Sequence, residues 1–406
     1  MITENPMTAQ ERRAVASLAL LYSFRMIGLF MVLPLLALYA ADMPGATPAL
    51  IGLALGGYGL TQALLQIPLG WLSDQVGRKQ VIIGGLLMLV AGSVVAGMAD
   101  TVYGIIIGRA MQGAGAIAGT VMALVADLTG EEQRTKAMAL VGISIGLAFA
   151  VAIVLGPLVA AASGLSGVFW FTALLAVIGI GVVLLLVPTP ERVGIEHSDV
   201  GARRGLILRS LREPALARLN FGVFTLHFTL MACFQVLPGF LEELAGVDRA
   251  HHWQVYLPTL ILSIVGMVPM LRMAERGGRA RETFLLGIGM TFVSVAILGF
   301  TASAVALYLG LWLFFVGFNY LEATLPSLVS KSVFPGGKGT ALGVYSTCQF
   351  FGIFCGGAIG GWVLQAGGTH ALITLCLGVL ACWGVLSLLP ARQPEMTGGD
   401  SRITDA

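Results

Sequence analysis

The stretch Gly70–Gln80, GWLSDQVGRKQ, places one acid and two bases between two apolar runs. Those runs, Pro48–Ser73 and Val81–Ala99, have the length of bilayer crossings, which take about 20 mostly apolar residues. A turn between two crossings needs only a polar cover. Here Asp74, Arg78 and Lys79 come with two glycines, Gly70 and Gly77, and that combination demands a reason.

The rest of the chain has the same character. Of 406 residues, 57% are hydrophobic and 11% charged, and the mean hydropathy is +0.90. A soluble domain carries about 25% charged residues, so this chain cannot cover itself with a water-facing surface. Most of it faces lipid. Glycine is abundant, 54 of 406 residues, and small residues let membrane helices approach closely. The five cysteines all sit in apolar runs with no CxxC pair. They read as small buried hydrophobes, without a disulfide framework. The first run, Ala14–Ala41, is longer than a signal-peptide core and reads as a retained span.

Runs of crossing length number twelve, arranged as six, a polar linker and six. Six occupy residues 1–188, the linker 189–214, six more 215–390, and a short tail 391–406 closes the chain. The runs lack the short alternating pattern of a membrane barrel, and helices are the remaining way to satisfy a backbone in lipid. The expected fold is an all-α integral membrane protein of twelve transmembrane helices in two pseudo-symmetric six-helix bundles. With the N-terminus inside, twenty of the 23 Lys and Arg fall on the cytoplasmic side and only Arg249 on the other. That asymmetry sets the orientation. The basic linker is weakly amphipathic and reads either as a helix on the cytoplasmic lipid surface or as a solvated connector. KAMALVGIS at Lys136 resembles KGTALGVYS at Lys338. Both enter the fifth helix of their half, as in repeat-built transporters.

Four ionisable residues lie away from the ends of the spans: Arg25, Arg109, His227 and Glu322. They fall on spans one, four, seven and ten. Such groups are costly in a bilayer and mark functional cavities by default. Each also has a plainer reading. An arginine can pin helices through backbone carbonyls, and a histidine can simply bond a neighbouring helix. Neither arginine has an acidic partner within the first six spans, which leaves both available to an anionic ligand. Glu322 is the only carboxylate well inside a span. A carboxyl in a low-dielectric site holds its proton more tightly than in water, so Glu322, with His227, is the expected proton-coupling pair. Tyr58, Gln62 and Gln66 form a stripe on span two. Asn319 lies one turn from Glu322, and Tyr345 and Gln349 repeat the spacing on span eleven. With Met31 and Phe30 these are expected to line a substrate cavity, although polar stripes also join helices.

With the spans in place the opening stretch becomes readable. GWLSDQVGRKQVI resembles the loop signature of the major facilitator superfamily in Gly70, Leu72, Asp74, Gly77, Arg78 and Lys79; Gln75 departs from it. RAMQGAGA, with Arg109, Gln112 and Gly113, is similar to the family's span-four signature. AIVLGPLVAA, with Gly156 and Pro157, partly matches the span-five signature of its antiporter branch, with Ala152 in place of the first glycine. ERRAVASL, QIPLGWLSDQVGRK, FNYLEATLPSLVSK and KGTALGVYST further resemble the YajR-type drug:proton antiporters of bacterial inner membranes. Some members of that type carry a soluble C-terminal domain; none is expected within the 16 residues after Pro390.

The resemblance implies a cytoplasmic latch. Asp74 would dock at the N-terminus of span eleven, where a helix carries about half a positive charge, and Arg78 would pair with Asp127. Gly70 and Gly77 would let the two halves close. The expected function is secondary active transport, a proton-coupled efflux of amphipathic or apolar small molecules by alternating access. The alternative is transport of an anionic metabolite by Arg25 and Arg109. The expected partners are a small-molecule substrate, protons and membrane lipid, for a monomer that binds no nucleic acid. No cofactor, metal or enzyme activity is expected. GLSG at Gly164 lies between spans without a histidine, GGKGT lacks the rest of a phosphate loop, and His251 with His252 reads as a surface pair.

Overall fold

The computed structural model describes residues 6–189, 200–300, 302–333 and 337–389. Linker residues 190–199 and the tail 391–406 lie outside the described residues. The helices of the first half are α1 (Ala9–Val32), α2 (Leu36–Tyr39), α3 (Pro48–Val76), α4 (Arg78–Gly97), α5 (Val102–Ala114), α6 (Ala118–Asp127) and α7 (Glu131–Leu185). After α8 (Val200–Arg212) follow α9 (Pro214–Cys233), α10 (Leu237–Glu243), α11 (Trp253–Arg276), α12 (Ala280–Phe300), α13 (Ala304–Ser332) and α14 (Lys338–Leu388). No strand occurs among the described residues.

Local chemistry explains the starts and breaks. Thr8 and Glu11 form a reciprocal capping box at the start of α1, which satisfies two amides that a helix start leaves orphaned. Thr47 caps α3, with Pro48 at its first position. Gly77 stands alone between α3 and α4 at φ 110, a conformation in which a side chain is strained. Proline also marks the weak points: Pro34 falls between α1 and α2, and Pro238 in the first turn of α10.

Among the described residues, ten segments are long and apolar enough to cross a membrane. Two of them, α7 and α14, have 55 and 51 residues. At about 1.5 Å per residue each exceeds a ~30 Å hydrocarbon core more than twofold. Both turn back at a glycine of positive φ, Gly164 (φ 67) and Gly368 (φ 70). Each is therefore two crossings, which makes twelve, in two six-helix bundles as expected. The helices run past the apolar runs: α4 begins at Arg78 and α13 ends at Ser332. Hydropathy marks the part of a helix that lies in lipid, and the backbone ladder continues beyond it. The linker does contain a helix, α8, which packs on α9 and α14.

Ile143, Leu147, Val265 and Val305 are exposed on the outside, as lipid contact requires. The halves meet chiefly where α3 crosses α14, with α7 against α11 as a second contact. The first crossing is backbone on backbone. A Cβ at Gly52 would fall 2.2 Å from Gly357 O, and one at Gly56 2.7 Å from Phe354 O. Toward the end that carries most of the basic residues, the helices part. Nothing lies within 4 Å of a Cβ at Gly70 on α3, or at Gly339 or Gly343 on α14. The halves are in backbone contact at Gly52 and Gly56, and this close packing does not extend to Gly70, Gly339 and Gly343 at the basic end.

Candidate functional site

Each half carries one polar cluster, and the two are joined by the contact of Tyr58 with Phe350. In the first half, Arg25 on α1 is only 2% exposed. Its Nη2 donates to Tyr58 Oη at 3.1 Å and to Gln62 Oε1 at 3.0 Å. Gln62 in turn donates to Gln66 at 3.5 Å. Arg25 Nη1 is buried with no hydrogen-bond partner. Arg109 on α5 differs. Its guanidinium donates to Ala54 O at 3.4 Å, Leu55 O at 3.5 Å and Gln112 Oε1 at 3.0 Å, and lies 5.1 Å over the Tyr58 ring. Gln112 passes the chain on to Ser93 Oγ at 2.8 Å. Arg109 thus ties α5 to α3 with every nitrogen occupied, while Arg25 keeps one free. Neither pairs with a carboxylate among the described residues.

In the second half, His227 on α9, Glu322 on α13 and Gln349 on α14 form one cluster. Gln349 Nε2 lies 2.8 Å from His227 Nε2 and 3.2 Å from Glu322 Oε1. Glu322 Oε2 stands 3.7 Å from the same imidazole nitrogen. The Tyr345 hydroxyl is buried without a hydrogen-bond partner. Asn319 turns away, donating to Ser263 Oγ on α11 at 2.8 Å. It joins two helices and does not enter the cluster. Tyr58 links the halves, its ring edge-on to Phe350 at 6.1 Å.

Met31, expected in the cavity, is fully buried against α7, where a Cβ at Gly156 would lie 3.0 Å from Met31 O. It is core, kept there by a helix contact that sequence spacing does not reveal. Pro157 is buried beside it. Gly113 does the same for α5 and α3, its Cβ position 2.1 Å from Tyr58 O.

At the basic end Arg78 is the hub. It pairs with Asp74 and with Asp127 Oδ2 at 3.1 Å, and donates to Ser73 Oγ at 2.6 Å. Lys79 donates to Val187 O at the carboxyl end of α7. All of these groups belong to the first half. The glycines differ from the expected close approach: Gly70 faces open space, and Gly77 serves the turn between α3 and α4.

The opposite end carries contacts that no local sequence pattern announces. Arg249 pairs with Glu242 at 3.0 Å and with Asp42 of the other half at 3.4 Å. Gln365 Oε1 accepts from Ala49 N across the halves at 3.2 Å. The one signal in the sequence was Arg249 itself, a solitary base on that side. His252 was expected at the surface beside His251. It is instead buried, its Nε2 3.2 Å from Val247 O. Ser166 of GLSG donates to Gly97 O, so that motif is a helix corner.

The chain matches the family model of the Major Facilitator Superfamily over residues 18–354 and 252–404. It is 47% identical over 358 residues to the inner membrane transport protein YajR of Escherichia coli K12, covering 88% of this chain and 78% of that one. It is 26% identical to the multidrug resistance protein MdtH of Aeromonas salmonicida, covering 91% of this chain and 94% of that one. Among solved structures, a bacterial homologue of the human lysosomal transporter Spinster, inward-facing and occupied, matches with a TM-score of 0.73 at 14% identity. It covers 94% of this chain and 96% of that one. The twelve crossings, the signature loop and these likenesses agree: the chain belongs to the Major Facilitator Superfamily and is a membrane transporter.

Proposed function

We propose that the protein is a proton-coupled exporter of amphipathic small molecules in a bacterial inner membrane, working as a monomer by alternating access. The observation that carries this reading is the Glu322–Gln349–His227 cluster, where three helices of one half place two proton acceptors within 3.7 Å. A neutral, protonated Glu322 tolerates a dry, occluded cavity; an ionised one demands water or a cation. Its charge state then biases which end opens. The charge asymmetry of the chain supports a cytoplasmic position for the basic end, the side from which an exporter loads. The likeness to the inner membrane transport protein YajR supports the membrane, and the weaker likeness to the multidrug resistance protein MdtH supports the substrate class. Proteoliposomes with an imposed pH gradient, offered ethidium and Hoechst 33342, test the reading. Wild-type protein should accumulate dye, and Glu322→Gln should equilibrate it without concentrating it. A variant that concentrates dye as well as the wild type does would reduce Glu322 to a structural role.

One observation favours a second reading, transport of an organic anion: the buried, unpartnered Nη1 of Arg25. A guanidinium with a free donor fits a carboxylate. Salicylate in the same vesicles distinguishes the two. Flux of salicylate that Arg25→Gln abolishes, with no flux of either dye, would select the anion.

A further inference from the structure

Gln349 stands between the two groups invoked above. An amide nitrogen has two protons and accepts nothing. With Nε2 at 2.8 Å from His227 Nε2 and 3.2 Å from Glu322 Oε1, both neighbours must be acceptors. His227 meets that demand. Its Nδ1 lies 3.1 Å from Val223 O, a carbonyl that takes only a donor. The ring proton therefore sits on Nδ1, and Nε2 keeps its lone pair. Glu322 Oε1 accepts from the amide, and its Oε2 has no hydrogen-bond partner in the protein.

One proton added to Nε2 inverts the contact. The new N–H points at the amide N–H and repels it. Glu322 Oε2 waits 3.7 Å from that nitrogen, close enough for an imidazolium–carboxylate pair after a small side-chain movement. The other neighbours offer no competing charge. Tyr345 on α14 presents a neutral hydroxyl, and Phe318 on α13 lies edge-on to the imidazole at 5.6 Å. Across the interface, the Arg25 guanidinium donates to Tyr58 Oη and that of Arg109 lies over the Tyr58 ring.

We propose that Gln349 is a positioning residue that keeps His227 and Glu322 from pairing directly, and that a single proton taken at His227 Nε2 displaces it. The proton comes from a hydronium ion, whose O–H bond breaks to leave water as the N–H bond forms, and the Gln349–His227 hydrogen bond breaks. Gln349 sits on α14 beside Phe350, the residue that touches Tyr58 of the other half. Protonation thereby loosens α14 from α9 and α13 at the level where the halves meet. The proposal rests on the proton-coupling reading, but its test needs no substrate.

The test is ¹⁵N NMR of histidine-labelled protein in lipid nanodiscs, with His227→Asn to assign the signal. At high pH wild-type His227 should show the neutral form protonated on Nδ1. Gln349→Leu removes the amide and lets the ion pair form unopposed. The His227 titration midpoint should then rise by about one pH unit or more, as an opposite charge in direct contact does. Adding Glu322→Gln to that variant should cancel the rise. If the leucine variant does not fold, Gln349→Met removes the same amide. A wild-type ring protonated on Nε2 at high pH, or a midpoint unchanged or lowered without the amide, overturns the proposal. Failure of coupling alone would show as intact uphill transport in Glu322→Gln, with the titration shift still present.

Discussion

Arg249 reaches from the second half to Asp42 on the first, 3.4 Å away, while Glu242 holds it from behind at 3.0 Å and the Tyr39 ring lies 5.3 Å from its guanidinium. This end of the molecule is shut, and the pair bolts it across the interface. The signature loop around Asp74 lies at the other end. There the ion pairs of Arg78 with Asp74 and Asp127 stay within the first half.

Asp42→Asn should loosen the shut end. The pair is partly exposed, so its worth is about 0.2–1 kcal/mol, a shift of up to about fivefold in a two-state population. Electron–electron distances between spin labels at Ala41 and Glu243 should gain a longer component, and added salt should mimic the variant. Identical distributions in both proteins would mean that the bolt contributes nothing.

Gly52→Ala should act more strongly, because its methyl would sit 2.2 Å from Gly357 O, against backbone that cannot turn aside. Overpacking of this kind costs about 1–3 kcal/mol. The yield of a disulfide between cysteines at Ala49 and Gln365 should fall. Gly70→Ala, which meets nothing within 4 Å, is the control and should leave the yield alone. Equal yields in all three proteins would show that the glycine contact is not limiting.

Much of this fold was legible in the sequence. Span number follows from hydropathy, which a bilayer enforces. The pairing of Arg78 with Asp127 followed from the family signature, and Glu322 stood out because a lone intramembrane carboxylate is rare. Other features were not legible. Arg25 and Arg109 look alike in the sequence. They differ in the structure because the Ala54 and Leu55 carbonyls happen to point at one of them. Met31 looked like cavity lining because hydropathy cannot tell a core methionine from an exposed one. Asp42 and Arg249 lie 207 positions apart, and no local pattern announces that contact.

Asp74→Asn should favour the spread form at the basic end. In the alternate state, Asp74 would face the N-terminus of α14, a charge–dipole contact worth about 0.3–1 kcal/mol. Labels at Gln75 and Gly339 should report a shorter-distance population that shrinks several-fold in the variant. A wild-type protein without any such population under a range of pH and lipid conditions would count against the latch.

Orientation is testable without any assay of transport. Single cysteines at Ser198 and Asp248 should react with a membrane-impermeant maleimide from opposite sides: Ser198 only after the membrane is broken, Asp248 in intact spheroplasts. Labelling of Asp248 only in broken membranes would reverse the topology.

The glycine corners at Gly164 and Gly368 bear on how the protein is made. The two adopt nearly the same backbone angles, φ 67 and ψ −172 in one, φ 70 and ψ −171 in the other, a region essentially reserved for glycine. Each joins the last two helices of a half with no loop between them. Those helices therefore leave the ribosome as a ready hairpin, and the second arm meets the first as soon as it is synthesised. Damage at either corner should surface during biogenesis, as less protein inserted in the membrane, while the molecules that do mature carry substrate at the normal rate.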